Sequence, residues 1–265
     1  MEAFETDPII PNNPLLGVLI GKSGSGKTTF AYKLLTSGLI KYDNLYICAG
    51  RPNIKYYKLL FYGFRNKIKP NILYKTLDVY NQFEKEGTYT LDNIKMLMEG
   101  LARDTSTIED READKIPNIY IPPTLKYEDL LKHSKLQQHT IVLVDDYKLM
   151  DDQILFEKIF VHGRGDRIGC IYLTPDWVAL PKDLKDNASF VAGFNLNGND
   201  ILNIWNKFRT GMNFKEFKSY CDKVFNKNNK DHIYLNPTLE TESKIRTNIF
   251  ERFDDAPEEK DPFEK

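Results

Sequence analysis

Leu15-Leu16-Gly17-Val18-Leu19-Ile20-Gly21-Lys22-Ser23-Gly24-Ser25-Gly26-Lys27-Thr28 is the stretch that decides the fold. Its apolar start reads as a buried strand. A glycine-rich turn follows, and Thr29-Phe30-Ala31-Tyr32-Lys33-Leu34-Leu35 opens as a helix. Gly21, Gly26, Lys27 and Thr28 stand at the spacing of the phosphate-binding loop, G-x-x-x-x-G-K-[ST]. Glycines let successive N–H groups converge on an anion, and the helix N-terminus adds its positive end to the same point. The expected nucleotide contacts are therefore Gly21, Lys22, Ser23, Gly24, Ser25, Gly26, Lys27, Thr28 and Thr29. Lys27 is expected to reach the β- and γ-phosphates, and Thr28 to place its hydroxyl on Mg²⁺. The spacing predicts a nucleoside triphosphate as the ligand.

Length and composition bound the rest. At 265 residues the chain can bury a full α/β core, and one domain with appendages is expected. The net charge of −1 does not announce a nucleic-acid partner, so any basic face must be local. Cys48, Cys170 and Cys221 are scattered, and buried free thiols in a reducing compartment are the plain expectation. The histidines show no metal-ligand spacing with them. Met1 to Asn13 lacks the basic start and long apolar centre of a signal peptide, and no apolar run approaches membrane-spanning length. These features predict a soluble protein of the cell interior.

Beyond the first helix, Leu45-Tyr46-Ile47-Cys48-Ala49 reads as a second buried strand stopped by Gly50 and Pro52. Strand, helix and strand make a βαβ unit, hence a parallel sheet. Arg51 to Lys75 then carries Arg51, Lys55, Lys58, Arg65, Lys67, Lys69 and Lys75 with no acidic residue, interleaved with Tyr56, Tyr57, Phe61, Tyr62, Phe64 and Tyr74. Cations beside flat rings suit a nucleic-acid face, with Arg65, Lys67 and Lys69 as candidate DNA contacts. An amphipathic helix with core aromatics and solvated lysines fits the same letters. Asp78 to Leu101 has a helical pattern, and Ala102 to Asn118 reads as an exposed loop.

The second anchor is Thr140-Ile141-Val142-Leu143-Val144-Asp145-Asp146, a β-branched run closing on two carboxylates. A parallel sheet buries such a strand and presents its C-terminal end to the ligand crevice. Asp145 is expected beside the Mg²⁺ that Thr28 holds, and Asp146 is placed to polarise the attacking water. A helix is predicted over Asp151 to Phe160, followed by a basic glycine-bearing turn, Val161 to Arg167. Ile168 to Thr174 is another strand ended by Pro175, with Thr174 and Asp176 as candidate nucleotide sensors at its tip. A strand at Phe190 to Phe194, helices at Asp200 to Phe208 and Phe214 to Phe225, and a late Asp231-His232-Ile233-Tyr234-Leu235-Asn236 run complete the pattern.

In this order, GKSGSGKT, YICAG, IVLVDDY, HGRGDRIGCIYLTPDW, LPKDLKDN and DHIYLNP resemble the poxvirus-type genome-packaging ATPases, a branch of the FtsK/HerA superfamily. The likeness runs from about Leu15 to Asn236. It implies an ATP- and Mg²⁺-dependent double-stranded DNA translocase that fills a preformed capsid at its vertex. It also implies a closed homo-oligomeric ring of roughly five or six subunits, working in the host cell where virions assemble. Two departures stand out. Where the family ends its IYLT strand with a glutamine, this chain has Pro175, which donates no hydrogen bond. Where the family's basic turn has a histidine, this chain has Gly165. An arginine reaching into a neighbour's site is carried over to Arg164, with Arg167 the alternative, and a solvated basic loop is the competing reading of both.

Two other functions fit a phosphate-binding loop. A nucleoside kinase should show an arginine-rich lid, but Arg103 and Arg111 lie among acids. A guanine-dependent switch wants N-K-x-D, and Asn226-Lys227-Asn228-Asn229 lacks the aspartate. The expected fold is a three-layer α/β/α P-loop NTPase of the ASCE type with a mainly parallel central sheet. Its boundaries are placed at 1–13 for an N-terminal arm, 14–245 for the ATPase domain and 246–265 for an acidic tail.

Overall fold

The computed structural model describes residues 10, 14–52, 54–87, 93, 96–97, 99–100, 116–145, 153–208, 210–227, 231–237 and 245–250. β1 (Leu16–Gly21) leads through the glycine loop into α1 (Lys27–Thr36), and β2 (Asn44–Ala49) follows. Then come α2 (Lys55–Arg65), α3 (Pro70–Lys85), β3 (Asn118–Tyr120), α4 (Tyr127–Lys135), β4 (Thr140–Asp145) and α5 (Gln153–Asp166). β5 (Ile168–Thr174), α6 (Lys182–Asn187), β6 (Phe190–Phe194), α7 (Gly198–Phe208), α8 (Phe214–Lys227), β7 (His232–Leu235) and β8 (Ile245–Thr247) complete it.

The strands form one sheet in the order β3-β2-β4-β5-β1-β6-β7-β8. From β3 to β6 every pairing is parallel; β7 runs antiparallel to both its neighbours. The sheet's two faces are assigned by period-two alternation along each strand. Leu19, Ile47, Leu143 and Leu173 point to the layer with Phe30, Tyr32, Leu60, Phe64 and Leu73 of α1 to α3. Val18, Ile20, Cys48, Val142 and Val144 point to the other, with Leu130, Phe156, Ile159, Ile204 and Phe217 of the later helices. The result is the α/β/α sandwich that the β-branched, doubly buried strands foretold. All three cysteines are buried free thiols.

Three local expectations change. The helix expected to stop at Phe160 continues to Asp166, so Val161 to Gly165, Arg164 included, lie on a helix rather than a turn. Gly163 serves packing, whereas a Cβ on Gly165 would meet open space. A Cβ on Gly163 would lie 2.3 Å from the backbone oxygen of Ile168, so only glycine lets the helix end lie this close to the start of β5. The chain turns one residue later, at Arg167, whose φ of 59° is left-handed. Second, packed chain runs past the boundary placed at residue 245: Arg246 and Thr247 lie in β8, and Ile249 and Phe250 are buried. Third, β3 starts at Asn118, the last residue of the segment read as a loop, one position ahead of the short Ile119-Tyr120-Ile121 strand expected before Pro122-Pro123; Ala102 to Lys115 lie outside the described residues.

Most rings of the basic segment are core. Tyr57 and Phe64 are buried, and Tyr56, Phe61 and Tyr74 pack against the same cluster. Within this segment α2 is amphipathic, as the competing reading had it, and most of the interleaved aromatics stabilise the α2–α3 layer instead of presenting faces for stacking. Arg65, the last residue of α2, and Lys67, in the turn after it, are exposed and Lys69 is half-buried, with the Arg65 guanidinium 4.9 Å from the Phe61 ring centroid.

Candidate nucleotide site

The site is built where β1 ends. A Cβ on Gly21 would sit 2.4 Å from the Phe194 oxygen and 2.7 Å from Ser25 Oγ, so a larger residue would push the loop off β6. Ser25 N donates to Lys22 O at 3.2 Å and closes the loop on itself. Gly24 and Gly26 take left-handed φ values of 78° and 108°. Because Gly26 is the N-cap of α1, no side-chain oxygen caps the helix start. The positive end of α1 therefore meets the loop without a competing side chain. Ser25 Oγ is buried without a hydrogen-bond partner. A buried hydroxyl left unpaired costs about 1–3 kcal/mol, and an anion held in the loop is the group that would satisfy it.

The Lys27 ammonium donates to the backbone oxygens of Gly21 at 2.5 Å and Lys22 at 3.0 Å. It therefore bends back over the loop, and its side chain is mostly buried. Thr28 Oγ1 donates to Asp145 Oδ2 at 3.3 Å across a separation of 117 residues. β5 lies between β1 and β4, so this contact spans the crevice at the C-terminal ends of the parallel strands. β2 secures the far side, where Gly50 N donates to the Asp145 backbone oxygen at 3.0 Å. A hydroxyl beside a carboxylate at the edge of a phosphate loop is an oxygen-rich donor set of the kind Mg²⁺ takes. The residues present fit that ion: Thr28 and Asp145 would hold it.

Two tyrosines of α2 complete the cluster. The Tyr57 hydroxyl donates to Asp145 Oδ2, the oxygen that Thr28 also reaches, and the Tyr56 and Thr29 hydroxyls share a 2.7 Å hydrogen bond. Read from the sequence, both tyrosines belong to the basic aromatic segment, and this role is missed. Period 3.6 reveals which rings are buried but not where a phenol tip ends.

The loop after β5 is tied down separately. Thr174 Oγ1 donates to the Asp176 backbone oxygen at 3.0 Å, and Asp176 Oδ1 accepts from Ala179 N at 2.7 Å. Trp177 N donates to Asp200 Oδ1 at 2.9 Å, and Asn197 Nδ2 donates to Asp200 Oδ2 at 2.6 Å. Asp200 N donates back to Asn197 Oδ1 at 2.9 Å, a reciprocal cap on α7. Burial pushes the Asp200 carboxyl above the usual carboxylate range, and the nearby Asp176 adds to this, against the Trp177 N–H that favours the charged form. The sequence pattern starts this helix at Asp200 and reveals neither the Asn197 cap nor the hold on Trp177.

Neither candidate arginine is at this site within one chain. Arg164 donates to Asn187 O at 3.1 Å and Ser189 Oγ at 3.3 Å, just before β6 begins. Arg167 donates to Gln137 O at 3.0 Å, just before β4. Both sit at the N-terminal ends of the strands, the edge opposite the loop. Asp146 lies outside the described residues.

No protein-family model matches the chain, and no curated protein is similar to it in sequence. Among solved structures, the fold is similar to the genome packaging NTPase B204 of Sulfolobus turreted icosahedral virus 2 in complex with ATP-γS, at 13% identity over 89% of this chain and 97% of that one, TM-score 0.47. The AMP complex of the same NTPase gives a TM-score of 0.48 at 12% identity, covering 89% and 98%. A DnaB-like replicative helicase matches at 11% identity over 88% of this chain and 54% of that one, TM-score 0.43. The function proposed below rests on this chain's own side chains and motifs.

Proposed function

We propose that the protein is an ATPase that hydrolyses ATP with Mg²⁺ and couples turnover to movement of double-stranded DNA during packaging of a viral genome. The observation that carries the nucleotide half is the convergence of Lys27, Thr28 and Asp145 on one loop, beside a buried unpaired Ser25 hydroxyl. Lys27, the loop amides and the α1 N-terminus hold the phosphates and oppose their charge. Thr28 and Asp145 would hold the ion, which supplies charge neutralisation on the phosphate oxygens. Asp146, next along the chain from Asp145, orients or deprotonates the attacking water. Thr174 and Asp176, at the tip of the adjacent β5, are the proposed nucleotide sensors.

The DNA half is supported by the motif order: the basic HGRGDR run before IYLT, then LPK and an asparagine. The same resemblance supports a homo-oligomeric ring at a capsid vertex, with Arg164 or Arg167 completing a neighbour's site. Arg65, Lys67 and Lys69 are the proposed DNA contacts. ATP hydrolysis measured with and without double-stranded DNA tests the reading. Stimulation by DNA is expected; stimulation by a small phosphate acceptor instead, or a slow rate indifferent to DNA, would replace it with the kinase or the switch.

A further inference from the structure

We infer that Tyr57 is a positioning residue for the Mg²⁺ site, holding the Asp145 carboxylate in place from α2. The inference rests on the proposed nucleotide function and assigns a residue to it that the phosphate-loop motif does not contain.

Tyr57 Oη donates to Asp145 Oδ2, the same oxygen that accepts from Thr28 Oγ1 at 3.3 Å. Tyr57 is 1% exposed, so its ring is locked by packing in the α1–α3 layer. Its neighbour Tyr56 makes the parallel contact to Thr29 of α1, and its ring centroid lies 5.8 Å from that of Tyr32. The first turn of α2 is thus fastened to α1 and β4 through consecutive phenols. A rigid ring is well suited to this, because its hydroxyl cannot follow the carboxylate if the carboxylate rotates. A hydrogen bond to a charged acceptor is among the stronger ones, and a donor behind a metal ligand fixes which way that ligand faces. Thr28 can give an oxygen lone pair to an ion and keep donating its proton to Asp145, so Tyr57 is a second, independent donor that holds Oδ2 in orientation from a different element. Asp145 stands at a strand end with Gly50 N on its backbone oxygen, so main chain and side chain are each fixed by a different element.

The test compares wild type with Tyr57→Phe, which removes one hydroxyl and keeps the ring, and with Tyr56→Phe, which removes the neighbouring one. Binding of a non-hydrolysable ATP analogue is titrated with Mg²⁺, and Mn²⁺ occupancy is read by electron paramagnetic resonance. Tyr57→Phe is expected to raise the half-saturating Mg²⁺ concentration by about 10-fold or more, the usual loss on removing a ligand's supporting partner. Its affinity for the analogue without Mg²⁺ should stay at the wild-type value. Tyr56→Phe, whose hydroxyl meets Thr29 rather than Asp145, should raise the Mg²⁺ half-saturation less than Tyr57→Phe does; an equal or larger rise overturns the inference. A purely structural Tyr57 would weaken analogue binding equally with and without Mg²⁺, which overturns the inference. So does an unchanged Mg²⁺ half-saturation. If Tyr57→Phe melts well below wild type, p-aminophenylalanine at position 57 restores a donor on the same ring. Recovery of the wild-type half-saturation supports the inference, and a Tyr57→Phe-like value overturns it. Wild-type protein that binds the analogue without any response to Mg²⁺ overturns the proposed function as well, a result distinct from failure of the variants alone.

Discussion

The two ends of the parallel strands use charge in opposite ways. At the C-terminal end, side chains distant in sequence meet one another: Thr28 and Tyr57 both reach Asp145, across 117 and 88 residues. At the N-terminal end, charged side chains mainly cap backbone, with Arg164 on Asn187 O and Arg167 on Gln137 O. A carbonyl at the start of a strand needs a donor, and a guanidinium satisfies it while remaining partly in water. Asp145, by contrast, gathers two hydroxyls on one carboxylate oxygen in a crevice. The difference separates residues that tie the fold from residues placed to meet a ligand.

The comparison breaks most completely at Lys27. Lys27→Ala removes the cation lying across the loop, and hydrolysis should fall by about 100-fold or more, as for other preorganised groups that oppose transition-state charge. Steady-state ATPase rates check this, and turnover near wild type would move phosphate binding away from the loop.

Arg164 and Arg167 sharpen the other side. As ties to main-chain oxygens each should contribute about 1 kcal/mol of stability, visible in denaturant midpoints. If one also acts on a neighbour, its alanine variant should bind ATP normally, fail to turn over, and recover activity when mixed with Lys27→Ala protein. No recovery, with mixed assembly confirmed, leaves that arginine a structural tie.

Asp200 lies between the two behaviours, a buried carboxylate that holds main chain close to the nucleotide edge. Asp200→Ala should destabilise by roughly 1–3 kcal/mol, because the Trp177 N–H loses its acceptor and α7 loses half its cap. The pH sign follows from its raised folded-state value. Below the ordinary carboxylate range the group is protonated folded and unfolded, and its contribution is fully present. As pH rises through the raised value, the unfolded chain releases the proton more readily and stability is lost. Melting curves of wild type should therefore decline across that acid window, and Asp200→Asn should flatten the decline.

The smallest effect is expected at Arg65, Lys67 and Lys69. Neutralising all three should lower DNA affinity and reduce the salt slope of binding by about one unit for each phosphate that no longer meets a cation, while DNA-free hydrolysis persists. An unchanged slope would place the DNA path on other elements.

Much of the fold was legible because its signals are local. The run before Gly21 and the run before Asp145 are apolar on both faces, which only a doubly covered parallel strand satisfies. The phosphate loop announced itself by spacing. What escaped depended on tertiary neighbours. Gly163 looked like a turn signal, yet its lack of a side chain is explained by Ile168, which packs against the helix end. Tyr57 looked like half of a stacking surface, and its hydroxyl instead reaches an aspartate whose position was set by another strand. Asp200 reads only as the start of a helix, and nothing in the letters links it to Trp177.

The central claim is that Thr28 and Asp145 form one ion-dependent nucleotide site. ATP hydrolysis by wild type and Asp145→Ala, titrated with Mg²⁺ at saturating ATP, tests it most directly. The account predicts turnover that requires Mg²⁺ in wild type and falls by at least about 100-fold in Asp145→Ala, with ATP still bound through the loop. Equal Mg²⁺-dependent turnover in the two proteins would contradict it.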